Sequence, residues 1–359
     1  MSMSKIRVLV VEDSLTVRKR LIEVLGSDAD LEVVAEADNG RSGVDLCRTL
    51  RPDVITLDMH LPIMDGVTAT EQIMGHFPTP ILIVSSSTNR GDLFKTYDAL
   101  AAGAVDILEK PTGEEPDGVW EKRFLSAVKL VSRIRVITHI RSRLGSVGRA
   151  PVAPVEPPAA WPKLSGQRAS VIALGASTGG PGALVDVLRA IPQGFPAAVL
   201  IVLHIDELFS SAFADWLASQ TGHAVAYARG GEPLASVRGR VLLAQPGQHL
   251  EVRGSMLRLS SEPERNYCRP SVDVLFESLA ADCGSDVVAC LLTGMGKDGA
   301  AGLLALRRAG AQTIAQDEAT SVIYGMPREA VLLGAAERIL PLGEIGGTLA
   351  RLAGKVGSP

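Results

Sequence analysis

Short apolar runs alternate with amphipathic stretches along the first third of the chain. The runs that predict strands are Ile6–Val11, Val33–Glu36, Val54–Leu57, Ile81–Val84 and Val105–Leu108. Between them, stretches such as Leu15–Leu25 and Gly40–Leu50 carry apolar residues at the spacing of amphipathic helices. Strands that alternate with helices indicate a parallel sheet covered on both faces. The pattern therefore predicts a (βα)5 unit, in which a ligand site lies beyond the carboxyl ends of the strands.

A second α/β pattern follows a segment that is rich in proline. The helical pattern of residues 119–144 becomes basic toward its end, and residues 145–168 then contain five prolines without apolar periodicity. Such a composition cannot bury a core and is typical of a semi-rigid linker. A strand at Ser170–Leu174 opens the next pattern. We expect an amino-terminal domain over residues 1–128, a helix end and proline-rich linker over residues 129–168, and a doubly wound α/β domain with a mostly parallel sheet over residues 169–359.

Composition and charge narrow the class of protein. Lys and Arg total 36 against 40 Asp and Glu, a net charge of −4, so the chain offers no general basic surface for nucleic acid or anionic lipid. The four cysteines form no Cys-x-x-Cys pair, and we expect small buried side chains in a reducing compartment. The amino terminus runs straight into an apolar strand, and the run from Ala197 to Leu203 is too short to span a bilayer. We therefore expect a cytoplasmic protein without membrane insertion.

Carboxylates and a lysine follow the strands of the amino-terminal domain where their carboxyl ends meet. The groups are Glu12 and Asp13 after the first strand, Asp58 after the third, Ser85 and Ser86 at the fourth, and Lys110 after the fifth. Three carboxylates at one edge would repel one another, and Mg²⁺, which prefers oxygen ligands, is the natural counter-ion. A carboxylate beside Mg²⁺ can also attack a phosphoryl group, whose oxygens a lysine and a hydroxyl would hold.

Residues 5 to about 128 resemble the response-regulator receiver domain through VVED, ITLDMHLPIMDG, IVSSS and GAVDILEKP. The resemblance implies a flavodoxin-like fold in which a histidine kinase phosphorylates Asp58. It also implies a cis bond between Lys110 and Pro111. The remaining roles that it implies are Mg²⁺ binding by Glu12, Asp13 and Asp58, a switch hydroxyl at Ser85, and a phosphate-pairing cation at Lys110.

A serine flanked by glycines opens the second domain. The apolar run in VIALGASTGGPGAL ends at Gly175, and Ser177 stands in the turn that leads into a predicted helix over Ala183–Ala190. A serine in such a turn is exposed, and the backbone N–H groups of a helix start lie near enough to stabilise an oxyanion. Alone, the Gly-x-Ser-x-Gly spacing is weakly specific. A dinucleotide-binding loop would need glycine where Ser177 stands.

A nucleophilic serine needs a base, and three histidines of the second domain are candidates. His204 follows the strand Ala198–Leu203 directly, which places it at the same sheet edge as Ser177. His249 precedes another strand-like segment and is the second choice. His223 lies in a polar turn that we expect at the surface.

A carboxylate for the base comes from another strand end. The strand Val287–Leu292 leads into a glycine-rich turn that presents Asp298 before a helix. A carboxylate there could orient the imidazole of His204 and favour its protonated form. The chain order Ser177, His204, Asp298 differs from that of the α/β-hydrolases, so the serine motif is no evidence for that fold.

Residues 170 to 352 resemble the catalytic domain of the chemotaxis protein-glutamate methylesterases. The stretches that carry the resemblance are GASTGG, VLH followed by FSSAFADWL, AQPGQHLEV, CRPSVDVLFESLA, LLTGMGKDGA and QDEATSVIYGMPREAVLLGAA. It implies that Ser177 is the nucleophile, His204 the base and Asp298 the orienting carboxylate. An oxyanion donor would come from the backbone near Met295. The substrate would be a glutamate γ-methyl ester on a methyl-accepting chemotaxis receptor, and receptor glutamines would be deamidated by the same chemistry.

The order of receiver, linker and esterase is that of the same family. The resemblance implies that the unphosphorylated receiver packs over the catalytic edge and that ester hydrolysis needs no cofactor. Separately, we expect a monomer. The family usually has Met-Pro after the histidine, whereas this chain has Ile-Asp-Glu. We expect Asp206 and Glu207 to bear on substrate docking.

Two other functions are open to a chain with a receiver. A DNA-binding response regulator would have a basic output domain, whereas residues 170–359 carry 15 Lys and Arg against 18 Asp and Glu. A non-catalytic signalling module would keep the esterase fold for protein contacts alone. Such a module usually lacks one of the serine, histidine and aspartate residues, all of which are present here.

Overall fold

The structure is a computed structural model that describes residues 5–86, 89–111, 116, 118–134, 136 and 169–353. These residues form two α/β units, each built on its own sheet. Most of the predicted linker, residues 137–168, lies outside the described residues. None of the described helices is long and apolar enough to cross a membrane.

The first sheet has five parallel strands in the order β2-β1-β3-β4-β5. Its strands are β1 (Ile6–Val11), β2 (Leu31–Ala37), β3 (Val54–Leu57), β4 (Ile81–Ser85) and β5 (Asp106–Glu109). Its helices are α1 (Leu15–Gly26), α2 (Gly40–Leu50), α3 (Gly66–His76), α4 (Arg90–Ala101) and α5 (Val119–Val131). This is the predicted (βα)5 flavodoxin-like fold, and the sequence pattern located β1, β3 and α2 to the residue.

Polar caps explain why four of these helices begin where they do. Each cap side chain accepts a hydrogen bond from a backbone N–H of the first turn, which would otherwise have no partner. The caps are Ser14 for α1, Asn39 for α2, Asp65 for α3 and Asn89 for α4. Three of the four caps come one to four residues after a strand, so the strand ends and the polar edge of the sheet coincide.

The second sheet has seven parallel strands in the order β14-β13-β12-β6-β7-β9-β8. Its strands are β6 (Val171–Ala176), β7 (Ala198–Leu203), β8 (Val225–Tyr227), β9 (Val241–Leu243), β12 (Val287–Leu291), β13 (Gln312–Gln316) and β14 (Arg338–Leu340). A separate antiparallel hairpin pairs β10 (His249–Arg253) with β11 (Met256–Ser260). The expected doubly wound domain with a mostly parallel sheet is confirmed.

Helices cover both faces of this second sheet. They are α6 (Gly180–Arg189), α7 (Phe213–Thr221), α8 (Val272–Asp282), α9 (Ala300–Arg308), α10 (Met326–Leu332) and α11 (Leu342–Ala353). The central strands β6 and β7 are buried along their whole length, with alternate side chains in two separate apolar clusters. The carboxyl ends of β12, β6 and β7 therefore lie side by side at a rigid edge.

The two units contact each other through α4 of the first. The Tyr97 hydroxyl on α4 donates to the carbonyl of Phe209, and its ring meets Phe213 edge-on at 5.3 Å between centroids. Beside it, Trp216 Nε1 donates to Asp98 Oδ1 at 2.8 Å. Tyr97 and Trp216 are fully buried, so the contact is a packed interface between the domains.

Two expectations about single residues are wrong. His223 is buried at 9% exposure, and its Nε2 lies 2.9 Å from the carbonyl oxygen of Leu188, so it bridges backbone and does not face solvent. Lys110–Pro111 is trans, whereas the one cis bond of the described residues is Arg269–Pro270. The trans form is the ordinary preference of an X–Pro bond, by about 0.5–1 kcal/mol.

Candidate functional sites

Ser177 and His204 follow two neighbouring strands that end at the same level. Ala176, the last residue of β6, pairs with Leu203, the last residue of β7. The His204 N–H continues this ladder by donating to the carbonyl of Ala176 at 3.0 Å. The serine and the histidine thus leave the sheet side by side, as their positions after apolar strands predicted.

The turn after Ser177 is shaped by glycine. Gly179 has a φ of 77°, in the left-handed region, and a Cβ there would meet the side chain of Val322 at 2.6 Å. The Ser177 N–H donates to the carbonyl of Thr293 at 3.0 Å, and the Gly180 N–H returns to the carbonyl of Ser177 at 2.7 Å. These bonds hold the serine in one place at the start of α6.

His204 is held by Asp298. Its Nε2 lies 3.0 Å from Asp298 Oδ2. Because an ionised carboxylate only accepts hydrogen bonds, Nε2 carries the proton and Nδ1 is the basic nitrogen of the neutral ring. Burial disfavours the charged ring, but the bonds with Asp298 and Cys268 outweigh this effect and raise the pKa of His204 to about 9.

Asp298 is itself buried and receives several hydrogen bonds from the start of α8. Ser271 Oγ donates to Oδ1 at 2.6 Å, and the Val272 and Asp273 N–H groups donate at 2.6 and 3.2 Å. Asn266 Nδ2 adds a bond at 3.2 Å. Burial favours the neutral acid, but the bonds from His204 and Ser271 hold the pKa of Asp298 below its ordinary value.

Sequence reasoning missed the residues that hold Asp298. The sequence Pro270-Ser271-Val272-Asp273 carries a signal for them, because a serine before an apolar run is a typical helix cap. Ser271 is indeed the cap of α8, accepting from the Val274 N–H at 3.4 Å. That a cap on one helix would hold a carboxylate from a distant turn required the folded structure.

Cys268 is also part of this cluster. It was expected to be a small buried apolar residue, but it is only partly buried and its Sγ lies 3.8 Å from His204 Nδ1. His249, the second candidate base, is buried elsewhere and accepts from the Ser271 N–H through Nδ1 at 3.1 Å. His249 therefore holds the cap residue Ser271 and is not next to Ser177.

The backbone around Gly294 lies directly against the serine. A Cβ on Gly294 would come within 2.7 Å of Ser177 Cβ, so only glycine fits there. The Gly294 N–H is already used, donating to the carbonyl of Ile323 at 3.1 Å. The next residue, Met295, has a side chain that is 53% exposed. None of the backbone hydrogen bonds between described residues uses the Met295 N–H, which therefore stays a candidate oxyanion donor.

A second polar cluster lies at the edge of the first sheet. Ligand atoms of Glu12, Asp13 and Asp58 lie within 4.8 Å of one another, as a metal site requires. Lys110 Nζ lies 3.0 Å from Asp58 Oδ2 and 2.8 Å from Glu12 Oε2. Burial and the neighbouring Asp58 raise the pKa of Glu12 to about 7. The positive charge of one lysine does not balance three carboxylates, so the cluster is suited to bind a further cation.

Ser85 belongs to the same edge. It is fully buried at the end of β4, and its hydroxyl has no hydrogen-bond partner among the described residues. Its carbonyl accepts from the Lys110 N–H at 3.1 Å, which keeps the two residues adjacent. A buried hydroxyl without a partner is costly and is suited to an acceptor that arrives from outside.

Comparison with known proteins identifies the family of each unit. The family profile described as CheB methylesterase matches residues 172–349, and that of the response regulator receiver domain matches residues 8–116. A protein of Anaeromyxobacter dehalogenans named protein-glutamate methylesterase/protein-glutamine glutaminase 2 is 42% identical over 340 residues, covering 95% of both chains. A protein of the same name from Pseudomonas aeruginosa is 43% identical and covers 98% of both chains.

Two solved structures of Thermotoga maritima resemble the two units separately. The CheB methylesterase catalytic domain is 32% identical with a TM-score of 0.49, covering 52% of this chain and 100% of that one. The response regulator domain of CheB is 35% identical with a TM-score of 0.33, covering 36% of this chain and 98% of that one.

Proposed function

Since the chain belongs to the CheB methylesterase family and carries a response-regulator receiver domain, we propose that it is a phosphorylation-activated esterase of methyl-accepting chemotaxis receptors. The substrate is a glutamate γ-methyl ester, and the products are methanol and a free carboxylate. Deamidation of receptor glutamines follows from the same acyl chemistry. The observation that carries the proposal is the bond between His204 and Asp298 beside Ser177.

The proposed reaction has two acyl-transfer steps. Ser177 Oγ attacks the ester carbonyl while His204 Nδ1 takes its proton, and the tetrahedral intermediate then collapses with departure of methanol, which carries that proton away. Water then attacks the glutamyl-serine ester while His204 takes its proton. The second tetrahedral intermediate collapses as His204 returns this proton to Ser177 Oγ, which restores the serine hydroxyl and releases the glutamate as its free acid. Asp298 stays ionised throughout and stabilises the imidazolium. The Met295 N–H donates to the oxyanion.

The receiver supplies the proposed switch. A chemotaxis-type histidine kinase is the phosphodonor and Asp58 the acceptor, with Lys110 and Ser85 holding the phosphoryl oxygens. Mg²⁺, bound by Glu12, Asp13 and Asp58, would neutralise charge on the incoming phosphoryl group. The excess of carboxylate over lysine charge and the buried, unpartnered Ser85 hydroxyl support this assignment.

Domain contacts near the catalytic edge support regulation by the receiver. Arg123 on α5 lies 3.1 Å from Asp206, two residues after His204. Val322, whose side chain fills the space beside Gly179, packs against the receiver's apolar cluster that includes Phe124. We propose that the packed arrangement limits access by receptor and that phosphorylation shifts the equilibrium toward an open form.

The proposal includes a cytoplasmic monomer with no nucleic-acid partner. A net charge of −4 supports the last point, because phosphate contacts need a basic surface.

Methanol release from methylated receptor tests the function. We expect release by the wild type that rises with a small phosphodonor and Mg²⁺, and loss of release in Ser177→Ala. Ser236→Ala, an exposed serine in a separate turn, is the matched control and is expected to keep the activity. Absence of release by the wild type from receptor shown to be methylated would contradict the proposal.

Asp58→Asn tests the switch. This variant is expected to keep the basal release of methanol and to lose only its increase with phosphodonor.

A further inference from the structure

The loop beside the catalytic histidine is a tight turn with unusual backbone angles. The Cys268 N–H donates to the carbonyl of Arg265 at 2.9 Å, and the Arg265 N–H donates back to Cys268 at 3.1 Å. The two residues between them, Asn266 and Tyr267, have φ of 51° and 63°. Positive φ at both central positions defines a type I′ turn, whose second position strongly favours glycine. A tyrosine at that position is strained.

The contacts of this turn account for Asn266 and Cys268 but not for Tyr267. Asn266 Nδ2 donates to Asp273 at 2.8 Å and to Asp298 at 3.2 Å, and Cys268 faces the imidazole of His204. The Tyr267 side chain is 97% exposed, and no hydrogen bond or ring contact of the described residues involves it. Glycine at this position would therefore leave the fold as stable as tyrosine does, or more stable.

Another turn of the same kind in this chain has small residues. Gly254 and Ser255 join β10 to β11 with φ of 58° and 59°. Backbone strain without a structural reason tends to persist at functional sites, where it is part of what the site does. The contrast between the two turns marks Tyr267 as a residue kept for a contact outside the chain.

We propose that Tyr267 is a substrate-specificity residue, which binds an apolar side chain next to the esterified glutamate on the protein substrate. Met295, whose side chain is 53% exposed, extends the same rim, since Gly294 before it lies against Ser177. A methyl ester offers few atoms to recognise, so selection of one glutamate depends on contacts with its neighbours. An exposed tyrosine provides a large contact area with little side-chain entropy to lose. The inference rests on the proposed function.

Tyr267→Gly tests the proposal by setting stability against substrate recognition. Because glycine relieves the strain, we expect the thermal midpoint to rise. We expect KM for methylated receptor to increase roughly tenfold, as on loss of an aromatic anchor, with kcat little changed. The ratio of kcat/KM on receptor to kcat/KM on p-nitrophenyl acetate should fall by the same factor. Tyr267→Phe should restore KM.

Ser255→Gly is the matched control, since it relieves the same backbone strain at a distant turn without a change in this ratio. An unchanged receptor KM in Tyr267→Gly would overturn the docking role. An equal loss on receptor and on p-nitrophenyl acetate would also overturn it, because the residue would then act only by placing His204. If the wild type cleaves p-nitrophenyl acetate but releases no methanol from methylated receptor, the proposed function fails and this inference fails with it.

Discussion

At the scale of single residues, the chemistry depends on how firmly one carboxylate is held. Asp298 is 2% exposed and accepts hydrogen bonds from a hydroxyl, an amide, two backbone N–H groups and His204. Such a set favours the ionised form even in a buried place. Burial disfavours a proton on His204, but the held charge of Asp298 and the contact with Cys268 favour it more, and together they raise the pKa of that ring to about 9.

The pH dependence of hydrolysis follows from this pair. His204 acts as a base only when neutral, so below its pKa the neutral fraction falls tenfold per pH unit. We expect kcat/KM on p-nitrophenyl acetate to rise with pH and to level off above about 9. In Asp298→Asn the midpoint of this rise should move toward 6.5, the ordinary pKa of histidine. The value of kcat/KM at high pH should drop on the order of 10³- to 10⁴-fold. Glu318→Gln, at an exposed position, is the control. A wild-type profile of kcat/KM with its midpoint near pH 6.5 would show that Asp298 does not raise the pKa of His204. A midpoint that moves equally far in Glu318→Gln would show the same.

At the scale of elements, strand ends position the reacting groups and a helix start holds the carboxylate. β6 and β7 deliver Ser177 and His204 in register, whereas Asp298 reaches the same place from a turn after β12. The positive end of α8 faces Asp298, which adds a dipole to the hydrogen bonds. Ser271 therefore has two roles, as helix cap and as donor to the carboxylate.

Ser271→Ala separates these two roles when compared with Ser14→Ala, since both serines cap helices. Each substitution is expected to lower the free energy of unfolding by about 1 kcal/mol. Only Ser271→Ala should lower kcat on p-nitrophenyl acetate, by roughly tenfold, because a hydrogen bond to a charged group is lost. Unfolding in urea and initial rates measure the two effects. Equal loss of activity in both variants would mean that stability alone is responsible.

At the scale of the whole molecule, the receiver contacts the second domain only two residues after His204. Asp206, two residues after His204, pairs with Arg123 of the receiver at 3.1 Å. We expected the acidic pair Asp206-Glu207 to bear on substrate docking, whereas the structure places Asp206 at the domain contact. Asp206 therefore takes part in the contact between the two domains.

A charge exchange tests that contact. Both partners are partly exposed, so the pair is worth about 0.2–1 kcal/mol, and Asp206→Arg should raise methanol release without phosphodonor by roughly two- to fivefold. Adding Arg123→Asp restores an attractive pair and should return the release to the wild-type level. Activity with saturating phosphodonor is the reference for each variant. A double variant as active as Asp206→Arg alone would exclude a role for this ion pair.

The elements and the order of the strand-end residues were predictable from sequence because both depend on local pattern. A buried parallel strand is a continuous apolar run, and the polar residue that follows it must lie at the sheet edge, which places Asp58, Ser177 and His204. The seven-strand order was not predictable, because pairing between β6 and β12 joins segments more than a hundred residues apart.

Sequence by itself determined the two α/β folds, the family and the residues at the strand ends. Tertiary structure alone decided the surroundings of those residues: Ser271 and Asn266 on Asp298, Cys268 beside His204, the burial of His223 and the contact of Arg123 with Asp206. Each of these depends on side chains that meet only after distant elements pack. Hydrophobic periodicity says which face of an element is buried, but not which partner it finds there.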